Sequence, residues 1–196
     1  MKYIKTYEQN NGITFQQWLK DNPQDINTTK FYCNHSNLID LNGIEEFKNL
    51  QYLYCHQNKL TELPDLSNNI NLQYLYCSYN NLTELPDLSN LLNLQYLYCD
   101  NNQLTELPEL PNSLKELFCH QNKLTELPDL SNLVNLKELY CYNNQLNELP
   151  DLFNILDNFK YLHCWNNKLP YNNLDEYIQW HKKEYPWKWD SKKYNL

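Results

Sequence analysis

Cys33, Cys55, Cys77, Cys99, Cys119, Cys141 and Cys164 follow one another at intervals of 22, 22, 22, 20, 22 and 23 residues. Around them the frame LxxLxCxxNxLxxLPxL returns, clearest as Leu50, Leu53, Cys55, Asn58, Leu60, Leu63, Pro64 and Leu66, and again as Leu72, Leu75, Cys77, Asn80, Leu82, Leu85, Pro86 and Leu88. A unit this short cannot bury its own leucines. Stacked units share one core, so the period itself dictates a solenoid.

Within a unit, Leu53 and Cys55 lie two apart and face one side of an extended strand, while Tyr52, Tyr54 and His56 face the other. Each unit therefore contributes one short parallel strand, and seven strands spaced about 4.8 Å apart predict a sheet roughly 30 Å long. Asn58, Asn80, Asn102, Asn122, Asn144 and Asn167 fall in the bend after the strand. There an amide side chain is expected to bond the backbone of its own unit and the next. Ser36 takes that place in the first unit, a weaker end to the ladder. The return segments, such as residues 64–71, are short and begin with Pro, which predicts extended or 3₁₀ backbone.

Solenoid ends expose core and need lids. Thr14 and Gln17 fit a capping box, with Phe15, Trp18 and Leu19 on one face of a short helix. Leu174, Tyr177, Ile178 and His181 follow helical spacing after Asn173 and stop before Pro186. The tail with Trp187, Lys188, Trp189, Lys192 and Lys193 is expected either to fold back through its tryptophans or to stay loose. The expected division is a cap over 1–29, seven repeats over 30–170, and a second cap with tail over 171–196.

The frame resembles the leucine-rich repeat family over residues 30–170, about seven tenths of the chain. The unit from Leu94 to Pro111, running on through Leu107, Pro108, Leu110 and Leu114, is similar to the 20-residue repeats of secreted bacterial effectors. The 22-residue units and residues 42–50 look more like internalin-type and intracellular regulatory repeats. The resemblance implies an α/β leucine-rich-repeat solenoid, a shallow right-handed arc of seven short parallel strands that binds protein on its concave strand face. Effector relatives often carry a ubiquitin-ligase domain after the repeats; only 26 residues follow Pro170, so none is expected here.

With 24 acidic and 16 basic residues the formal net charge is −8, which argues against a nucleic-acid or anionic-membrane partner, since both need a positive footprint. No apolar run approaches the roughly 20 residues of a membrane helix and no signal-peptide core is visible, so a cytoplasmic protein with reduced thiols is expected. If the source is viral, that means the host cytoplasm. Gly occurs twice, and Ala and Arg are absent, a composition that suggests an AT-rich genome.

No two cysteines come closer than 20 residues, unlike zinc-binding pairs, and each occupies an inward position that suits a small buried hydrophobe. His56 and His120 share a repeat position three units apart, about 14 Å, too far for one ion to bridge. They and His163 read as surface polar residues. No nucleophile, base and orienter converge, and there is no Gly-rich phosphate loop. No catalytic residue, metal or cofactor is expected. Two acidic columns, Glu62, Glu84, Glu106, Glu126 and Glu148 with Asp65, Asp87, Glu109, Asp129 and Asp151, read as solubilising surface.

The outward strand face carries the functional signal. Before each Cys stand Tyr32, Tyr54, Tyr76, Tyr98, Phe118, Tyr140 and His163; two positions earlier stand Lys30, Tyr52, Tyr74, Tyr96, Glu116, Glu138 and Tyr161. After each Cys come Asn34, His56, Ser78, Asp100, His120, Tyr142 and Trp165. Aromatic side chains bury large area at low rotamer cost and carry interface energy. The expected contact set is Tyr52, Tyr54, His56, Tyr74, Tyr76, Tyr96, Tyr98, Asp100, Glu116, Phe118, His120, Glu138, Tyr140, Tyr142, Tyr161 and Trp165. Its partner is expected to be a protein or peptide, bound by a monomeric, non-enzymatic scaffold. The alternatives are glycan or small-ligand stacking on the tyrosines, an adaptor that brings targets to a separate enzyme, and repeat duplication that copied Tyr without selection for contact.

Overall fold

The computed structural model describes residues 12–194, with side chains to Asp190. A short helix α1 (Phe15–Asp21) leads into seven three-residue strands: β1 (Lys30–Tyr32), β2 (Tyr52–Tyr54), β3 (Tyr74–Tyr76), β4 (Tyr96–Tyr98), β5 (Glu116–Phe118), β6 (Glu138–Tyr140) and β7 (Tyr161–His163). Helices α2 (Leu174–Glu184) and α3 (Pro186–Tyr194) follow. The strands form one parallel sheet in sequence order, with each strand residue opposite its repeat equivalent, as in Leu53 beside Leu75 beside Leu97. The ladder runs past the strands themselves: the Cys77 N–H donates to the Tyr98 carbonyl and the Tyr79 N–H to that of Asp100.

Every inward leucine of the strands and all seven cysteines are buried, at 2% exposure or less. The bend after each strand is held by the asparagines. Asn80 donates from Nδ2 to the carbonyls of Cys77 and Cys55 and accepts the Leu60 N–H on Oδ1 at 3.1 Å. Asn58, Asn102, Asn122, Asn144 and Asn167 do the same. The sequence expectation has one correction: each amide bridges its own repeat to the preceding one, not the next, because the bend points the side chain back across the stack. Ser36, at the ladder's end, instead accepts the Trp18 indole N–H from the cap.

Each bend requires a left-handed residue, and with Gly so scarce the chain uses Gln57, Tyr79, Asn101, Gln121, Asn143 and Asn166, all with φ near +55°. The return segments start extended and then close in hydrogen-bonded turns, as in Asn69 N–H to Leu66 O and Leu72 N–H to Asn69 O, with 3₁₀ turns at Ile44–Glu46 and Phe153–Ile155. A second amide ladder ties them together: Asn71, Asn93 and Asn158 donate to the carbonyls of Lys48, Ile70 and Val134 in the preceding repeat. The acidic column read as solubilising also has a structural task. Asp65, Asp87, Asp129 and Asp151 each accept the backbone N–H two residues on and so shape the start of the return.

Both ends are covered. The Thr14–Gln17 capping box is reciprocal, and Phe15 and Trp18 pack on Phe31. At the other end Tyr177 and His181 of α2 are buried, and the tail is helical: Pro186 opens α3, and the Trp189 indole N–H donates to His181 Nδ1 at 3.0 Å. The part of the expected first cap before residue 12, and the side chains of Lys192 and Lys193, lie outside the described residues.

Candidate binding site on the strand face

Because parallel, in-register strands set equivalent side chains side by side, the outward residues form ladders of stacked rings. Tyr52, Tyr74 and Tyr96 stack with centroids 4.6 and 4.3 Å apart. Tyr32, Tyr54, Tyr76 and Tyr98 stack at 4.9, 4.6 and 4.4 Å, with planes within 22° of parallel. The second ladder breaks between β4 and β5, where Tyr98 meets Phe118 edge-on at 88°. Beyond the break a third ladder begins two residues later in the repeat: His120, Tyr142 and Trp165 at 4.3 and 4.4 Å. Rings covered by neighbouring rings are only half exposed, whereas Tyr161 and Trp165 at the open end are exposed at 52% and 44%.

The chain carries leucine-rich repeats. Its sequence matches the family profile described as Leucine Rich repeats (2 copies) over residues 70–112 and 113–154. Among solved structures it is similar to YopM, a leucine-rich effector protein from Yersinia pestis, at 32% identity and TM-score 0.55, over 72% of this chain and 41% of that one. It is also similar to a Shigella effector LRR domain at 31% identity and TM-score 0.57, over 69% of this chain and 56% of that one. The repeat protein thus spans about half the length of these effectors. Its likeness to the LRR ectodomain of a plant receptor kinase from Arabidopsis thaliana, at 24% identity and TM-score 0.64, covers 74% of this chain and 19% of that one and concerns the fold alone. A comparison with curated protein sequences returns no match.

At the break between ladders the repeat protein has a cavity of about 400 Å³, lined by His56, Gln57, Tyr76, Ser78, Tyr79, Tyr98, Asp100 and Phe118. It exists because the column after Cys carries no ring in two consecutive repeats: Ser78 and Asp100 stand where later repeats place His120, Tyr142 and Trp165. Asp100 is 7% exposed and accepts the Ser78 hydroxyl at 2.6 Å and the Asn101 amide at 2.8 Å. His120 Nε2 lies 3.6 Å from Asp100 Oδ2, the oxygen that takes the Asn101 amide, and the buried His120 Nδ1 has no hydrogen-bond partner. Burial pushes His120 below the ordinary imidazole value, outweighing the pull of Asp100. Burial and the neighbouring His35 do the same to His56.

Two expectations need correcting here. His120 is not a surface residue, its side chain being 12% exposed, because Tyr142 covers its ring. A hydroxyl, a carboxylate and an imidazole do converge in Ser78, Asp100 and His120, but the carboxylate sits between the other two. The Ser-His-Asp order sets the imidazole against the hydroxyl; here the Ser78 hydroxyl meets the Asp100 carboxylate instead.

Five of the expected contact residues meet at the cavity: His56, Tyr76, Tyr98, Asp100 and Phe118. Tyr52, Tyr74 and Tyr96 form the separate flanking ladder, and Tyr54 and Tyr140 extend the central one in either direction. Glu116 takes the place of the flanking ladder's next ring and accepts the Tyr98 hydroxyl proton, so burial and that carboxylate raise the Tyr98 pKa. Glu138 stands beside Glu116 and is raised by burial first and by that like charge second. Ser78, Gln57 and Tyr79 were missed by sequence reasoning. The signal for Ser78 was there: it is the one residue of its column with a side chain shorter than Asn or Asp.

The thiols form no cluster of chemistry. All seven are free and buried, and burial raises Cys33 and Cys164 to about 12 and raises the others as well. No group of three metal-ligating side chains occurs among the described residues.

Proposed function

We propose that this leucine-rich-repeat protein is a non-enzymatic interaction module that docks a protein or peptide on the aromatic strand face, centred on Tyr76, Tyr98 and Phe118. The observation that carries this reading is the break in the ladder. A duplicated Tyr repeat would give an unbroken parallel stack, whereas here the stack turns edge-on at Phe118 beside a cavity walled by the Tyr76, Tyr79, Tyr98 and Phe118 rings. Anchoring side chains of a partner find in such a site a concave, ring-lined seat, the setting in which interface energy concentrates. Leucine-rich-repeat proteins typically serve as protein-binding modules, which supports the same role. Seven unpaired thiols suit a reducing compartment, so the module acts in cytoplasm, as a monomer.

A photoreactive phenylalanine analogue placed at Tyr76, and in a second sample at Leu92, which is 73% exposed on the return segment, tests the face. Incubated with a displayed library of random peptides, the Tyr76 sample is expected to cross-link a restricted peptide set that unlabelled protein competes away. Equal capture at Leu92 would defeat the proposal.

A further inference from the structure

The geometry points to the cavity between β3 and β5 as a receptor for an organic cation, the ammonium or guanidinium of a lysine or arginine side chain on the docked partner. This rests on the docking role of the strand face and names what that face reads. The decisive group is Asp100. Its carboxylate is buried, yet the donors it receives, the Ser78 hydroxyl and the Asn101 amide, are neutral. Among the described residues no lysine pairs with it, and the sequence contains no arginine. His120 makes no charge-assisted hydrogen bond to it: its Nε2 stands at 3.6 Å, beyond hydrogen-bond range, and burial lowers its pKa below the ordinary imidazole value. A buried carboxylate without a countercharge is a costly arrangement that an arriving cation relieves.

The walls fit the same guest. Tyr76, Tyr98, Phe118 and Tyr79 present ring surface around the carboxylate, and a cation within about 6 Å of a ring centroid is attracted to its π face. The apolar lining accepts the methylene stem of Lys or Arg while the charged head reaches Asp100. Tyr79 is held in the left-handed region at φ +55°, a conformation bulky side chains rarely adopt, and stands at the rim 53% exposed. The same strand face already holds such a contact: Lys30 Nζ lies 4.6 Å from the Tyr52 ring centroid. Glu116 and Glu138 next to the cavity, in a chain of net charge −8, draw a cation in and turn an anion away.

The test uses the full chain and a random peptide library on phage, with binders to a Tyr76→Ala/Tyr98→Ala variant subtracted. Enriched peptides are expected to share one basic residue. In a synthetic peptide of that sequence, replacing this residue by norleucine or citrulline should weaken binding to the native protein about tenfold or more, and binding to Asp100→Asn less than about twofold. Enriched peptides with no recurring basic residue, or a tenfold loss that persists in Asp100→Asn, overturn the cation assignment and leave the docking face standing. Failure to enrich any peptide over the double variant overturns the docking face, and the cation assignment with it. Should Asp100→Asn fail to fold, the native protein alone still decides: a loss below about twofold on replacing the basic residue by norleucine overturns the cation assignment.

Discussion

Repeats two to four and repeats five to seven share one backbone and one core but differ in what they show to solvent. Leu53, Leu75 and Leu97 in the first set and Leu117, Leu139 and Leu162 in the second are equally buried, and the strands pair in one continuous register. Outward, the first set stacks Tyr on Tyr in two nearly parallel ladders. The second set replaces one ladder by Glu116 and Glu138, tilts the other through Phe118 and Tyr140 at 40°, and starts a new one at His120. In a solenoid the inward positions and the asparagine bends fix the backbone, so the outward columns change without disturbing it. The cavity arises where one outward pattern gives way to the other.

The comparison breaks first at the bends, where the largest effects are expected. Asn80 is buried and Asn144 partly exposed, though both make the same bonds. Asn80→Ala strands the Leu60 N–H away from water and removes one of the two amide donors to each of the Cys55 and Cys77 carbonyls, which keep Asn58 and Asn102, and should cost about 2–4 kcal/mol in urea unfolding. Asn144→Ala should cost roughly half as much, since water reaches its orphaned groups. Equal losses would mean that the two halves are held alike.

The rings come next. Tyr76 stacks on both Tyr54 and Tyr98 in near-parallel geometry, whereas Tyr140 meets Phe118 at a tilt. Truncating Tyr76→Ala is expected to destabilise by about 1.5–3 kcal/mol and Tyr140→Ala by about 1 kcal/mol less, read from paired denaturation curves. The reverse order would show that parallel stacking adds nothing here.

A smaller effect, of opposite sign, is expected at the left-handed bends. Tyr79→Gly removes the Cβ strain at φ +55° and should raise stability by about 0.5–1 kcal/mol, while Asn143→Gly, starting from a residue that tolerates this conformation, should gain little. Thermal midpoints of the two variants separate these outcomes.

The smallest effect is a matter of pH. Burial and Glu116 raise the Glu138 pKa, so the folded state holds this proton more tightly than the unfolded chain does. The contribution is present below the ordinary carboxyl value and disappears as pH rises through the raised one. Glu138→Gln should therefore be slightly more stable than the native protein at pH 7 and indistinguishable from it at pH 3. A loss of stability at pH 7 would contradict the assigned repulsion.

Much was legible before any coordinates. The 22-residue period fixed the number and parallel order of the strands, because only stacking buries leucines spaced that way. Alternation around each Cys told inward from outward side chains, and the Asn in every bend announced a ladder, although not that it ties each repeat to the one before. The Asp column was misjudged because an exposed carboxylate that shapes a turn looks, as sequence, like any solubilising charge.

What the sequence alone determined is therefore whatever depends on periodicity: core, strand count, and which columns face water. Only the tertiary structure decided that Ser78, Asp100 and Tyr79 share a hollow with Tyr98 and Phe118, and that His120 lies covered beside it. The physical reason is that a column is a list of neighbours about 4.8 Å apart, whereas a cavity is defined by where rings tilt and which gap they leave unfilled. Those are properties of packing between repeats, and no single repeat contains them.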